Sequence, residues 1–220
     1  MHRTRIKFCG MTSPADIALA VEAGADAVGV ILAPASPRKV TADVLPTLAV
    51  AIPPFVARVG VVTSPSEAEV ARLTALGFSI QFSGEESASD CRRLAADRPY
   101  IKALHVSEDG HADDLLRRFD EHRNALAMLD TRSGNKSGGT GVPFPWEVAA
   151  PLARSRRVVI SGGLSVTNVR ACVRMLRPYA VDVRSGIETD GRKDADKMQA
   201  FVQAVRQADA EYLSGTAGLS

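Results

Sequence analysis

Reactive side chains and glycine pairs stand at the ends of four short apolar segments of the sequence. Cys9 and Asp130 each end one such segment, Gly162-Gly163 comes just after a third, and Ser185-Gly186 comes just after a fourth. A thiol in a cationic setting can act as a base or nucleophile, and a carboxyl group in an apolar setting can donate a proton. Glycine-rich turns can bind a phosphate through exposed backbone N–H groups. The four positions therefore offer a base, an acid and two anion-binding turns.

Each of these features also has a purely structural interpretation. Cys9 could be a small buried hydrophobic residue, and Asp130 could cap the loop that follows it. One glycine pair more often makes a tight turn than a phosphate site. Two such turns, each predicted to lead into a helix from neighbouring strands, favour phosphate binding. Spacing alone leaves the roles of Cys9 and Asp130 open.

Arg38 and the histidines are less informative. Arg38 follows the second predicted strand in the turn Ser36-Pro37-Arg38, where it is either a surface residue or a guanidinium fork for a carboxylate. His105 is the one histidine near the predicted C-terminal end of a strand, and a structural role is expected for it. The spacing of cysteines and histidines predicts no metal site.

The elements that must position these residues alternate between short apolar strands and amphipathic helices. The hydroxyl-Pro sequence Ser13-Pro14 predicts a helix start, and Gly24 predicts its left-handed end. Eight strands are predicted, at 5–9, 27–32, 55–62, 78–82, 100–106, 125–129, 158–160 and 179–183. The main helices are predicted at 14–23, 65–76, 87–97, 112–119, 146–153, 166–176 and 195–208.

Regular alternation of strands and helices predicts an α/β fold with a parallel sheet. An open doubly wound sheet and a closed (β/α)8 TIM barrel both satisfy this pattern, and eight units in 220 residues fit a compact barrel. No linker divides the chain, so we expect one catalytic domain over residues 1–211 and a frayed C-terminal tail at 212–220. The long Gly-rich segment 130–145 is expected to be a functional loop.

Composition excludes several classes of protein. The chain is 45% hydrophobic and 24% charged, as in globular proteins, and only 5% aromatic. Its net charge of +2 gives no indication of a nucleic-acid partner. Three widely spaced cysteines and the lack of a signal-peptide or membrane-spanning apolar run predict a cytoplasmic protein.

An ordered set of motifs resembles the phosphoribosylanthranilate isomerase family of tryptophan biosynthesis. The resemblance spans nearly the whole chain, and no single motif would suffice. The matching segments are Lys7-Phe8-Cys9-Gly10-Met11-Thr12, Ser36-Pro37-Arg38, Val59-Gly60-Val61-Val62, Leu129-Asp130-Thr131, Gly138-Gly139-Thr140-Gly141, Ser161-Gly162-Gly163-Leu164, Val181-Asp182-Val183, Ser185-Gly186-Ile187-Glu188 and Lys193-Asp194.

The resemblance implies a TIM barrel that catalyses an Amadori rearrangement without a cofactor or metal. N-(5-phosphoribosyl)anthranilate, an aminoaldose, would become 1-(2-carboxyphenylamino)-1-deoxyribulose 5-phosphate, an aminoketose. By the same resemblance, Asp130 would be the general acid, Cys9 the general base and Arg38 the ligand of the anthranilate carboxylate. The phosphate would be held by Gly162, Gly163, Ser185 and Gly186. Further candidate site residues, from these motifs and their surroundings, are Lys7, Gln81, Ser83, Asp182 and Arg184.

Two positions depart from the family pattern. Ser83 stands where the family usually has histidine, and Arg184 stands where it often has a small residue. Two alternatives therefore stay open: a paralogue that rearranges another aminoaldose phosphate, and a barrel that binds a sugar phosphate without turnover. The sequence indicates no nucleic-acid or membrane partner, and it is compatible with a monomer or a homodimer.

Overall fold

The computed structural model describes residues 3–106, 112–133, 136–137 and 145–217. Eight parallel strands make up the central sheet: β1 Arg5–Cys9, β2 Ala27–Ile31, β3 Ala57–Val62, β4 Ser79–Phe82, β5 Tyr100–Val106, β6 Ala125–Ser133, β7 Val158–Ile160 and β8 Ala180–Val183. The helices are α1 Pro14–Ala23, α2 Leu45–Ala51, α3 Glu67–Ala75, α4 Ala88–Ala95, α5 Ala112–Glu121, α6 Trp146–Ser155, α7 Val169–Leu176 and α8 Ala195–Ala217.

The sheet closes on itself, so the fold is a (β/α)8 TIM barrel. β1 pairs with both β2 and β8, and β5 pairs with both β4 and β6. Closure leaves no open edge among the eight strands, which decides between the two architectures that alternation alone allows.

Side chains alternate between the barrel interior and the layer under the helices. On β1, Ile6 and Phe8 belong to the main core between strands and helices, and Phe8 packs edge-on against Phe201 of α8. Lys7 and Cys9 have the opposite parity and point into the barrel. The parity of each strand therefore determines which of its residues reach the central cavity.

The first helix forms as the sequence predicts. Ser13 accepts a hydrogen bond from the Asp16 amide, and the Asp16 carboxylate accepts one from the Ser13 amide in return, which completes a capping box. Pro14 occupies the first turn, and Gly24 ends α1 in the left-handed region with φ of 96°.

Three elements differ from the sequence-based prediction. α2 was not predicted, because Leu45–Ala51 is short and apolar, has Pro46 in its first turn and is followed closely by Pro53. β6 continues past Leu129 to Ser133, so part of the expected loop is strand. α8 extends past residue 208 to Ala217, although the residues from 212 onward were expected to fray. The motif Gly138–Gly141 lies outside the described residues.

The segment after β8 forms a hairpin where a helix was predicted. Glu188–Thr189 pairs antiparallel with Arg192–Lys193, and Asp190 and Gly191 make the turn with φ of 49° and 73°. Two consecutive positive φ angles and the Asp-Gly sequence are typical of a type I′ hairpin turn, a signal that was available in the sequence. No helix among the described residues is long and apolar enough to cross a membrane.

Candidate active site

A cavity of about 550 Å³ opens at the C-terminal ends of the barrel strands. This is the end of the barrel where strands give way to the loops that carry catalytic groups in this fold. Nine of the site residues predicted from the sequence line it: Cys9, Gln81, Ser83, Asp130, Gly162, Gly163, Asp182, Arg184 and Ser185. Lys7, Arg38 and Gly186 are not among the residues that line it.

Cys9 is a buried thiol at the end of β1. It is 5% exposed and lies opposite Gly29 in the pairing of β1 with β2. Burial raises the pKa of the thiol above its ordinary value, while the ammonium groups of Lys7 and Lys193 act in the opposite direction. The resting thiol is therefore mostly protonated near neutral pH, and cationic neighbours limit the cost of ionising it.

Asp130 lies within β6, on the face that also places Met128 inside the barrel. Burial raises the pKa of its carboxyl group to about 6, and the Asp182 carboxylate adds to the rise. His105 and Arg184 act in the opposite direction. A carboxyl group with this pKa keeps a useful protonated fraction near neutral pH, as a general acid requires.

His105 reaches the cavity, although a structural role was expected for it. The pairing of β5 with β6 places His105 opposite Asp130, and its Nε2 lies 3.0 Å from the Ser83 carbonyl oxygen. A carbonyl can only accept, so Nε2 carries the proton. Nδ1 is buried and has no hydrogen-bond partner among the described residues. The position of His105 at the end of a strand was the signal that could have assigned it to the site.

Gln81 and Ser83 lie on the β4 side of the same cavity. The Gln81 amide Nε2 donates to Ser83 Oγ over 3.1 Å. Gln81 Oε1 is buried without a partner among the described residues. Gln81 and Ser83 thus form a polar but uncharged wall here, and the next strand contributes the imidazole of His105.

Arg38 lies beside the cavity and is held by the hairpin that follows β8. Its Nε and Nη2 donate to the two carboxylate oxygens of Glu188 over 3.1 and 2.8 Å. Lys193 Nζ donates to Glu188, to the Cys9 carbonyl and to the Arg184 carbonyl over 2.8, 2.7 and 3.2 Å. Glu188 and Lys193 therefore connect Arg38 to the ends of β1 and β8.

The guanidinium of Arg38 is oriented before any ligand binds. The bidentate contact with Glu188 uses one edge of the fork, and among the described residues Arg38 Nη1 has a single contact, at 3.5 Å from the Pro37 carbonyl. Glu188 and Lys193 belong to segments that match the family, but neither was assigned to the site from the sequence. The role of Glu188 depends on its contact with Arg38, which is 150 residues away in sequence.

The glycine turns permit close approaches between loops. Gly162 has φ of 80°, and a Cβ there would lie 2.3 Å from Thr131 Oγ1 and 2.8 Å from Asp130 Oδ1. A Cβ on Gly186 would lie 2.0 Å from the Leu164 carbonyl oxygen. Glycine is therefore required at both positions to bring the loops after β6, β7 and β8 together.

Neither turn leads directly into a helix, contrary to the prediction. α7 begins at Val169, after a turn in which Asn168 accepts from the Ser165 amide over 2.8 Å. The Ser185-Gly186 turn continues into the hairpin instead of a helix. Any anion site here depends on exposed turn amides and nearby cations such as Arg184, which lines the cavity. The sequence left the direction of Arg184 undecided.

Lys7 and Asp182 form a buried ion pair at the floor of the cavity, which Asp182 lines. Lys7 Nζ donates to Asp182 Oδ1 over 2.7 Å, and Ser161 Oγ donates to Asp182 Oδ2 over 3.2 Å. The described residues contain no group of three or more histidine, cysteine, aspartate or glutamate side chains that could hold a metal ion.

Comparison with known proteins gives a consistent result over nearly the whole chain. The model of a family described as N-(5'-phosphoribosyl)anthranilate isomerase matches residues 6–204. The chain is 42% identical to the N-(5'-phosphoribosyl)anthranilate isomerase of Herminiimonas arsenicoxydans, with 97% of this chain and 98% of the relative covered. It is 41% identical to that of Azotobacter vinelandii, with 94% and 100% covered.

Solved structures agree with the sequence relatives. Phosphoribosyl anthranilate isomerase from Thermotoga maritima superposes with a TM-score of 0.83 at 34% identity, covering 93% of this chain and 99% of that one. A complex of the isomerase with reduced 1-(o-carboxyphenylamino)-1-deoxyribulose 5-phosphate gives a TM-score of 0.80 at 34% identity over the same coverage. The chain thus belongs to the N-(5'-phosphoribosyl)anthranilate isomerase family.

Proposed function

We propose that this chain isomerises N-(5-phosphoribosyl)anthranilate to 1-(2-carboxyphenylamino)-1-deoxyribulose 5-phosphate, with Asp130 as the acid and Cys9 as the base. One observation carries the assignment of roles. A carboxyl group with a pKa of about 6 and a thiol with cationic neighbours line the same cavity from β6 and β1, which β7 and β8 separate. The rearrangement needs one proton delivered and one removed at different atoms of a small sugar.

The chemistry follows in three steps. Asp130 donates a proton to the furanose ring oxygen, and the bond between that oxygen and C1′ breaks to give a protonated Schiff base. The Cys9 thiolate removes the proton from C2′, which produces an enolamine. Tautomerisation of the enolamine gives the ketone, so all atoms of the substrate are retained and no redox partner is consumed.

Three groups of residues would bind the ends of the substrate. The free edge of the Arg38 fork, oriented by Glu188, would contact the anthranilate carboxylate. Amides of the Gly162-Gly163 and Ser185-Gly186 turns, with Arg184 beside them, would bind the phosphate. A solved relative that holds a reduced analogue of the aminoketose product supports this class of ligand.

The remaining features of the molecule are proposed with the same support. We expect residues 1–211 to form one catalytic domain that acts in the cytoplasm, as a monomer or a homodimer. The high coverage of relatives that carry the isomerase name favours this reaction over a paralogue with another substrate. Retention of both Cys9 and Asp130 argues against a barrel that only binds a sugar phosphate, since binding needs neither group.

Complementation of a tryptophan auxotroph that lacks this isomerase tests the proposal. The wild-type chain should restore growth without tryptophan, and Cys9→Ala and Asp130→Asn should not. In purified protein, each substitution should lower kcat by about 10²-fold or more, because each removes one acid-base step, while KM changes little. Soluble wild-type protein that fails to support growth would contradict the function, and near-normal turnover in either variant would contradict the roles.

A further inference from the structure

The ion pair at the floor of the cavity lies in the buried barrel interior, where a charge is costly. Lys7 and Asp182 are 4% and 6% exposed and lie opposite each other in the pairing of β1 with β8. Most other interior side chains at this depth are apolar, such as Val59, Met128 and Val159. A buried ion pair is often no more stabilising than apolar residues of similar volume. Stability alone therefore gives little reason for charges here.

The ammonium end of the pair lies next to the thiol. A Cβ on Gly29 would stand 2.9 Å from Cys9 Sγ and 3.1 Å from Lys7 Nζ, so both groups border the space that this glycine leaves empty. Gly29 is opposite Cys9 in the β1–β2 pairing. The missing side chain allows the ammonium and the thiol to approach each other on the β1 side of the barrel.

The carboxylate end of the pair lies on the opposite side, toward the acid. Asp182 accepts from Ser161 Oγ on the β7 side. Ser161 precedes Gly162, which packs against Asp130 so closely that a Cβ would stand 2.8 Å from Asp130 Oδ1. The positive charge is therefore nearer the proposed base, and the negative charge is on the side of the proposed acid.

We infer that the Lys7–Asp182 ion pair is an oriented charge pair that favours the thiolate at Cys9 and the protonated carboxyl at Asp130. Lys7 and Asp182 are then positioning residues, since they act through the two groups that meet the substrate. This inference rests on the proposed function for its catalytic meaning. Its electrostatic content can be measured on the free protein.

The charges that face Cys9 agree with this arrangement. Burial raises the pKa of the thiol, the nearby Lys7 ammonium lowers it, and Asp182 raises it again. Lys193, from the hairpin, lowers it as well. Loss of both Lys7 and Asp182 should therefore raise the pKa of the thiol further, because the lowering by Lys7 is the larger of the two effects.

The charges that face Asp130 act on its pKa in both directions. Burial and the Asp182 carboxylate raise the pKa of Asp130, whereas His105 and Arg184 lower it. Asp182 thus raises the pKa of the proposed acid, and Lys7 lowers the pKa of the proposed base. The two values are brought closer together, which increases the fraction of molecules with a protonated Asp130 and an ionised Cys9.

The test measures alkylation of Cys9 in the free protein. Wild-type, Lys7→Met/Asp182→Asn and Asp182→Asn proteins are treated with iodoacetamide between pH 6 and 10, and the Cys9 peptide is quantified by mass spectrometry. The double variant leaves no buried charge unpaired, so it should fold. At pH 7.5 its Cys9 should react on the order of tenfold more slowly than in wild type, with the midpoint of the pH profile moved upward.

For the single variant, we expect the alkylation rate of Cys9 to change in the opposite direction. Asp182→Asn removes a carboxylate that both neutralises Lys7 and repels the thiolate, so Cys9 should react faster and its midpoint should move downward. Circular dichroism confirms folding, and alkylation in denaturant should give equal rates for all three proteins. Unchanged midpoints in the folded variants would overturn the inference, as would slower alkylation in Asp182→Asn.

Kinetics separates this inference from the proposed function. If wild-type protein isomerises phosphoribosylanthranilate, the double variant should lose on the order of tenfold or more in kcat, with a smaller change in KM. If wild-type protein lacks that activity but the midpoints of the Cys9 alkylation profiles shift as expected, the proposed function is wrong and the electrostatic effect of the ion pair is supported. If wild-type protein is active but the midpoints do not shift in the variants, the proposed function is supported and the electrostatic effect of the ion pair is refuted.

Discussion

At the scale of single residues, the protonation states of Asp130 and Cys9 in the resting protein are the reverse of those that the proposed reaction needs. Asp130 has a pKa of about 6, and burial raises the pKa of Cys9 above its ordinary value of 9.0. Near neutral pH most molecules therefore carry a thiol and a carboxylate, while the proposed reaction needs a thiolate and a carboxylic acid. The productive form is a minor species, and its abundance has a characteristic pH dependence.

We expect kcat/KM to be nearly flat from about pH 6 to at least pH 8.5. In this window each pH unit increases the thiolate about tenfold and decreases protonated Asp130 about tenfold, so their product is constant. Below pH 6 the rate should fall because only the thiolate is being lost. Above the pKa of Cys9 it should fall because only the acid is being lost. Initial rates at low substrate concentration measure this profile.

A different profile would contradict the assignment. A rate that rises tenfold per pH unit between pH 6.5 and 8 would mean that Asp130 does not need to be protonated. A rate that falls tenfold per unit over the same range would mean that no thiolate is needed.

At the scale of elements, the hairpin after β8 orients the Arg38 fork. The hairpin presents Glu188 to Arg38 and Lys193 to the carbonyls of Cys9 and Arg184. Its Asp190-Gly191 turn holds the two short strands in register. A local turn is thus expected to influence how a carboxylate-bearing substrate binds.

Gly191→Ala should raise KM several-fold and leave kcat close to that of wild type. A Cβ at this position would lie 3.1 Å from Arg38 Nη2 and displace the guanidinium, and φ of 73° is strained for alanine. Gly24→Ala is the matched control, since φ there is 96° and the nearest neighbouring atom would be 3.9 Å away. Both substitutions should cost roughly 1–2 kcal/mol of stability.

Steady-state kinetics and thermal unfolding of the two variants distinguish strain from a specific effect on Arg38. An equal rise of KM in both variants would indicate general loosening of the barrel. An unchanged KM in Gly191→Ala would mean that the hairpin does not influence substrate binding.

At the scale of the whole molecule, Asp130 links the stability of the barrel to pH. The folded state raises the pKa of this carboxyl group from its ordinary value of 3.8 to about 6, so between those values the folded protein binds more protons than the unfolded chain. Its contribution to stability is therefore greatest below about pH 4 and is lost as the pH rises through about 6. Closing the sheet into a barrel creates the low-dielectric interior that has this effect.

Asp130→Asn should be more stabilising, relative to wild type, at pH 7.5 than at pH 4.5. The difference is expected to be on the order of 1–3 kcal/mol, because one pKa unit corresponds to about 1.4 kcal/mol and part of the carboxyl group faces the open cavity. Urea unfolding at both pH values measures it. Asp113→Asn, at an exposed position on α5, is the control and should show little change. A pH-independent effect of Asp130→Asn would contradict burial of an ionisable carboxyl group.

The sequence by itself determined the alternation of elements and the ends of strands where chemistry could occur. Local signals are sufficient for this, because a cap such as Ser13 and a stop such as Gly24 act within one turn of the chain. Motif order also indicated the family, with Cys9 and Asp130 as its acid-base pair. The hairpin and the helical extension to Ala217 were missed, the first despite its Asp-Gly signal.

Only the tertiary structure decided which side chains and charges those residues contact. Closure of the sheet, the direction of Arg184, the clamp of Glu188 on Arg38 and the position of His105 beside Asp130 all depend on strand pairing between distant segments. The pKa values follow from the same pairing, since burial and neighbouring charges exist only once the barrel has formed. Parity along a strand can be predicted from sequence, but the side chain that stands opposite cannot.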